Sequence, residues 1–296
     1  MGLDGWLPVD KPAGWTSHDV VARCRRQLGE RRVGHGGTLD PDATGLLLVG
    51  VGRATRLLRF LTALPKAYEG ELVLGTATST LDASGEVTGT WDMSSVGAAE
   101  VAAAAERLTG PQQQIPPMVS AVQVGGRRLH ELAREGRTVD RPARAVVVER
   151  FTVSPVDGPL YRFEVHCSSG TYVRTLVDDL GRALGGGAHL RRLRRVATGP
   201  FQVSDAVPLE SVGPEAVRPA VGAVAFLGRV VVDGPERADV GHGRRLSRVA
   251  LGERGAPPEG PGPWAVVDTE GNLLAVYEAD AGADDLLRAA VVLAPA

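Results

Sequence analysis

Residues 34–45 read Gly-His-Gly-Gly-Thr-Leu-Asp-Pro-Asp-Ala-Thr-Gly, and the chain then runs directly into the apolar Leu46-Leu47-Leu48-Val49. A glycine-rich loop that delivers His35, Asp40 and Asp42 to the edge of a buried element holds polar side chains against a rigid scaffold, which is how active sites are built. The residue types leave more than one role open for Asp40. It can cap the turn begun by Pro41, or it can act as nucleophile, base or metal ligand. No serine or cysteine stands in a nucleophile elbow, and neither a lysine-ending P-loop nor a GxGxxG after a strand is present. Asp40 and Asp42 lack a third close ligand, so a metal is not expected here.

Outward from this loop the chain alternates helices and strands without repeats. Thr16-Ser17 before Asp19 is a helix start, with Val20, Val21, Cys24 and Leu28 on one face and Gly29 as the stop. Further helices are predicted over 54–63, over 98–108 with Gly110-Pro111 as the stop, and from Thr171 to Leu184. Residues 67–76 read as a strand. In 160–168 Tyr161, Phe163, Val165 and Cys167 alternate with Arg162, Glu164, His166 and Ser168, the mark of a strand with one buried face. Past residue 205 proline, glycine and short valine strands dominate, and Trp264 to Tyr277 reads as a hairpin turning at Glu270-Gly271-Asn272. The Pro/Gly run at 255–263 is then a loop within a small β-rich C-terminal unit, because that hairpin needs partners.

A chain of 296 residues, 43% apolar and 23% charged, is an ordinary globular composition. Cys24 and Cys167 lie far apart with no ligand-spaced partners, which excludes a disulfide framework or zinc site and points to a reducing compartment. No apolar run approaches the ~18 residues of a membrane span, and the start lacks a basic segment followed by an apolar one. The reading is a cytoplasmic chain with no membrane contact. The net charge of −2 hides segregation: residues 121–200 hold 14 bases against 8 acids, while residues 201–296 hold 8 against 14. The densest point, Arg191-Arg192-Leu193-Arg194-Arg195, is either a phosphate-seeking patch or a solvated basic strand. Only Lys11 and Lys66 are lysines.

Five separated segments together carry a resemblance. They are Asp10-Lys11-Pro12-Ala13-Gly14 with Thr16-Ser17-His18-Asp19, the Asp40 loop, Lys66-Ala67-Tyr68 with Thr78-Ser79-Thr80-Leu81-Asp82, Pro116-Pro117-Met118-Val119-Ser120-Ala121, and Cys167-Ser168-Ser169-Gly170-Thr171-Tyr172-Val173-Arg174. In order and spacing, from residue 6 to about 200, they resemble the TruB family of tRNA pseudouridine synthases. The resemblance implies an α+β fold: a pseudouridine synthase core with a mixed, mostly antiparallel β-sheet flanked by helices over 1–228, and a small β-rich, PUA-like domain over 229–296. It implies isomerisation of the uridine at position 55 in the T loop of tRNA, with no cofactor and no metal, by a protein that needs no obligate protein partner; a monomer is the default.

By position, Asp40 resembles the family's catalytic nucleophile and Arg174 the arginine that pairs with it. A charge partner keeps a carboxylate ionised where water is excluded. Tyr68 resembles the tyrosine that stacks on the target base and is the candidate to assist proton removal from C5. Tyr172 and Leu193 match further substrate contacts, and His35 the residue that fills the gap left by the flipped base. Lys11 is expected to be structural or RNA-facing, and Arg191 and Arg194 to contact phosphate. The segment 112–141, with Gly125-Gly126-Arg127-Arg128, resembles a mobile element that closes over RNA. Three departures stand out: Gly36 replaces a usual threonine and is expected to loosen the loop, while Val119 and Gln123 replace a tyrosine and a lysine and are expected to weaken the grip on RNA. Two other readings stay open, a guide-RNA-dependent pseudouridine synthase and an RNA-binding or tRNA-folding module.

Overall fold

The computed structural model describes residues 3–119, 123–124, 127–128, 135, 139–253 and 258–293. Fourteen of the 30 residues of the 112–141 segment, Gly125 and Gly126 included, lie outside the described residues. The fold is α+β. Its large sheet is built from β1 (Gly5–Lys11), β2 (Val33–His35), β3 (Thr44–Val51), β4 (Lys66–Leu74), β5 (Gly110–Gln114), β6 (Arg144–Asp157), β7 (Leu160–Cys167), β8 (Ala188–Thr198) and β9 (Val207–Pro208). The spatial order is β9-β1-β3-β8-β4-β7-β6-β5, with β2 paired to β3 and a two-residue strand, Phe201–Gln202, paired to β8 off this path. The pairs β1–β9 and β3–β8 are parallel and the other pairs along this path antiparallel, so the sheet is mixed and mostly antiparallel.

The helices follow their sequence signals. α1 (Ser17–Leu28) starts at a capping box in which the Thr16 hydroxyl and the Asp19 backbone and carboxylate satisfy one another, and it ends at Gly29 in the left-handed region. Val20, Val21 and Cys24 are its buried face. The helix predicted over 54–63 begins as a 3-10 turn and becomes α-helical only at α2 (Leu58–Ala63). After α3 (Ala98–Arg107), Gly110-Pro111 does more than stop a helix: Gly110 opens strand β5. α4 (Val173–Ala183) buries Leu176, Val177 and Leu180 against the sheet.

In β7 the side chains of Tyr161, Phe163, Val165 and Cys167 are buried while the alternate ones face out. That inner face joins Tyr68, Leu72, Leu176 and Leu180 in one core. A second sheet contains β10 (Gly228–Val231), β11 (Leu246–Ser247), β12 (Trp264–Val267), β13 (Leu273–Ala279) and β14 (Leu286–Val292), ordered β10-β12-β13-β14-β11. The hairpin turns at Gly271, whose φ is 87°. This sheet packs its own core around Trp264 and Tyr277 and shares another with the large sheet, where Val276, Val291 and Leu293 meet Trp6, Leu48 and Phe60. Polar ties reinforce that seam. Arg53 donates to the Leu293 carbonyl at 2.7 Å, and Arg59 pairs with Glu278.

Candidate active site

The Asp40 loop is fastened from several sides. The Ser17 hydroxyl both accepts from the Leu39 N–H at 2.9 Å and donates to its carbonyl at 3.2 Å. The Gly14 N–H donates to the Pro41 carbonyl at 3.0 Å, and the Asp40 carbonyl closes the turn by accepting from the Ala43 N–H at 3.1 Å. Asp40 therefore closes its turn through the backbone and leaves its carboxylate for another partner.

Lys11 is fully buried (0% exposed). Its ammonium donates to the carbonyls of Trp15, Pro41 and Pro12 at 2.6, 2.8 and 3.0 Å, while burial lowers its pKa to about 8. The RNA-facing alternative for Lys11 is thus replaced by a structural one, a tie between β1 and the loop. Gly36 also corrects its expectation. Its N–H donates to the Leu48 carbonyl at 2.8 Å, and a Cβ there would lie 3.1 Å from the Leu61 side chain. The missing side chain lets α2 pack onto the loop instead of loosening it.

Asp40 meets Arg174 where the loop faces the start of α4. Arg174 Nε is 2.9 Å from Asp40 Oδ2; the arginine is 4% exposed and the aspartate 43%. The rest of the guanidinium is fixed by the Thr80 carbonyl at 3.0 Å, the Val119 carbonyl at 2.8 Å and Asp82 at 3.4 Å. Val119, a departure in its side chain, serves through its backbone. Surrounding protein raises the Asp40 pKa, Arg174 pulls it back down and Asp82 pushes it up. The carboxylate thus reaches the cavity while its partner is locked beneath it.

Asp82 is a second carboxylate on the same guanidinium. Its Oδ1 accepts from the Thr80 hydroxyl at 2.6 Å and from the Ser84 hydroxyl and N–H at 2.5 and 3.1 Å. The turn that presents it holds Leu81 at φ 63°, the left-handed region, which a leucine enters at a cost of about 1–3 kcal/mol. Strain of this kind persists where surrounding structure enforces it. The sequence motif contained Asp82, but nothing in its spacing signalled this contact.

A cavity of about 850 Å³ opens above Asp40. Tyr68, Tyr172 and Leu193 line it together with Arg174, so four of the residues singled out in sequence converge on Asp40. Tyr68 is buried on β4 and burial raises its pKa. Tyr172 caps α4, its backbone gripped by the buried side chain of Gln114, which accepts from the Tyr172 N–H at 2.7 Å and donates to its carbonyl at 3.1 Å. The cavity also holds Arg59, Lys66, Arg144 and Arg195.

His35 stands apart from these lining residues, on β2, with its ring edge-to-face on His18 at 5.5 Å. Burial lowers its pKa to about 4, so it is neutral. The arginine run divides in a way the sequence did not show. Arg194 makes a forked pair with Asp10 at 2.7 and 3.0 Å, and Arg191 and Arg192 lie 3.4 and 3.8 Å from Glu71. Arg191 and Arg194, expected to contact phosphate, each stand beside a carboxylate. Arg195 turns inward and is buried. Bulges in β8 between Leu190 and Arg192 and between Arg195 and Ala197 break the strand alternation, so periodicity could not have separated them.

Among the described residues no group of three or more His, Cys, Asp or Glu could hold a metal ion, and no helix is long and apolar enough to cross a membrane. Comparison with known proteins adds the decisive observation. The N-terminal domain model of TruB family pseudouridylate synthases matches residues 25–173, and the C-terminal domain model of tRNA pseudouridylate synthase B matches residues 174–220. The chain belongs to the TruB family. The tRNA pseudouridine synthase B of Thermobifida fusca is 46% identical over 94% of this chain and 96% of its own length. That of Nocardia farcinica is 45% identical over 93% and 90%. In a crystal structure of a Cbf5-Nop10-Gar1 complex, one chain superposes with a TM-score of 0.71 at 28% identity, covering 93% of this TruB-family chain and 78% of that one.

Proposed function

We propose that this chain converts uridine to pseudouridine at position 55, in the T loop of tRNA, with Asp40 as nucleophile. The carrying observation is a carboxylate open to a cavity, held 2.9 Å from a buried arginine and overlooked by Tyr68. The reaction breaks the bond from C1′ to N1, turns the uracil and rejoins it through C5, so N1 gains a proton and C5 loses one. Something must hold the fragments in between. A carboxylate suits attack at C1′ or addition at C6. Arg174 keeps Asp40 ionised against the desolvation that raises its pKa.

A base inside a folded loop cannot be reached in place, so the target is flipped into the cavity. Tyr68 then stacks on it and assists removal of the C5 proton, Tyr172 and Leu193 border it, and the neutral His35 fills the vacated space. Residues 1–228 form the catalytic domain, with 112–141 closing over the RNA, and 229–296 form a PUA-like domain. The second sheet opening at Gly228 supports that division. The protein acts in the cytoplasm, as a monomer, without an obligate protein partner.

The test is to incubate the purified protein alone with an unmodified tRNA transcript and map pseudouridine. The expected result is product at the T-loop position, abolished in Asp40→Asn. Product only with added guide RNA and proteins would favour the guide-dependent reading; RNA binding without product would favour a folding module.

A further inference from the structure

Arg195 is the residue the reaction scheme leaves unexplained. It is 1% exposed, and no carboxylate lies within ion-pair reach of it among the described residues. Burying an unpaired guanidinium costs several kcal/mol of desolvation unless hydrogen bonds compensate, and an apolar residue of similar volume would avoid that cost. The compensation lies at the active site. Nε donates to the Leu46 carbonyl at 2.7 Å, Nη2 to the Gly37 carbonyl at 3.1 Å, and Nη1 approaches the Thr38 carbonyl at 3.5 Å. These carbonyls flank Asp40 on both sides in sequence, so one rigid fork spans the loop. The fit is close: a Cβ at Gly45 would fall 2.3 Å from the Arg195 carbonyl oxygen.

Arg195 stands opposite Tyr68 in the register of β8 and β4, and both residues line the cavity above Asp40. A guanidinium has donors only, so in a bond between the two the Tyr68 oxygen accepts and the hydroxyl hydrogen points away from Arg195.

We propose that Arg195 is a positioning residue of this active site, holding the Asp40 loop and the Tyr68 hydroxyl in fixed relation to each other. The inference rests on the proposed function, since it assigns Arg195 to the reaction of that site. Lysine is a poor substitute, because a single ammonium cannot reach three carbonyls and a phenol in the plane of a fork.

The test uses the full chain with 3-fluorotyrosine incorporated, its Tyr68 resonance assigned by absence in Tyr68→Phe, alongside single-turnover pseudouridine formation on a tRNA transcript. Arg195→Gln is expected to slow the chemical step about 10²-fold, the scale of an ångström-level misplacement, while the RNA dissociation constant stays near wild type. The Tyr68 fluorine resonance moves and those of Tyr161 and Tyr277 do not. Arg195→Lys recovers part of the rate because it restores the charge. A wild-type rate in Arg195→Gln, an unmoved Tyr68 resonance, or a loss confined to RNA affinity would overturn the proposal. So would failure of both variants to fold, which would make Arg195 a folding residue only. If the wild-type protein forms no pseudouridine the functional reading fails, yet the fluorine spectra still decide the contact between Arg195 and Tyr68.

Discussion

Two cavities of about 850 Å³ share strand β8, and they use arginine in opposite ways. The groove on the outer face of the sheet is lined by Arg150, Arg162, Arg191, Arg192 and Arg194, but also by Asp42, Glu69, Glu71 and Glu164. Arg150 pairs with Glu164 at 3.0 Å, and Arg162 stands opposite Glu71 in the strand register. The cavity over Asp40 also holds five cationic side chains, yet Asp40 is the only acid among its described lining residues. Among the described residues neither Lys66 nor Arg144 has a carboxylate in ion-pair reach, and Arg195 spends its charge on loop carbonyls. An arginine count therefore does not locate a phosphate site; charge left uncompensated does.

That contrast can be tested from its strongest element to its weakest. Arg174→Gln should be the most damaging change on the cavity side. It leaves Asp40 and Asp82 facing each other without their shared cation, so we expect at least about 10²-fold loss in the rate of pseudouridine formation and about 3 kcal/mol lower stability in denaturant titrations. Wild-type stability would show that the pair is not the anchor its burial suggests. Lys11→Met should cost about 2 kcal/mol, because three carbonyls lose their donor. Its rate loss should follow from displacement of the Asp40 loop, with RNA affinity unchanged.

A smaller effect separates the two cavities directly. Arg144→Ala should lower the slope of log Kd against log salt by about one, whereas Arg192→Ala should leave it nearly unchanged although Arg192 is 73% exposed. Glu71→Gln should then break the contrast: with Arg191 and Arg192 released, RNA binding strengthens at low salt and its salt dependence steepens.

The smallest expected effect lies in pH. The Asp40 pKa is raised by desolvation and by Asp82, and activity needs the ionised form. The acid limb of the rate profile should therefore lie above the ordinary aspartate range, with activity lost as pH falls through it. Stability should also decline as pH drops from about 6.5 toward 4, because unfolded chains protonate His35 over that window while the fold, which holds its pKa near 4, does not. His35→Gln should flatten that decline.

Legibility in the sequence followed locality. The ends of α1 were readable because the capping box and Gly29 act within four residues, and β7 because its alternation is unbroken. The large mixed sheet was expected from the resemblance to a known family, and the strand order bears that class out. The pairing within the arginine run was not readable because two bulges in β8 break its period and because the partners Asp10 and Glu71 lie far away in sequence. The meeting of Asp82, Gln114 and Arg195 around the site was not readable for the same reason.

The sequence by itself determined where turns, caps and buried strand faces fall, since those depend on backbone preferences and solvent within a few residues. It also drew attention to Asp40, but left cap, nucleophile, base and metal-ligand roles open until the resemblance to the TruB family implied one. The tertiary structure alone decided which charges are compensated. Ion pairing depends on distances between groups on separate strands, so only the folded sheet could show that Arg194 is bound to Asp10 while Arg195 lies buried under the Asp40 loop.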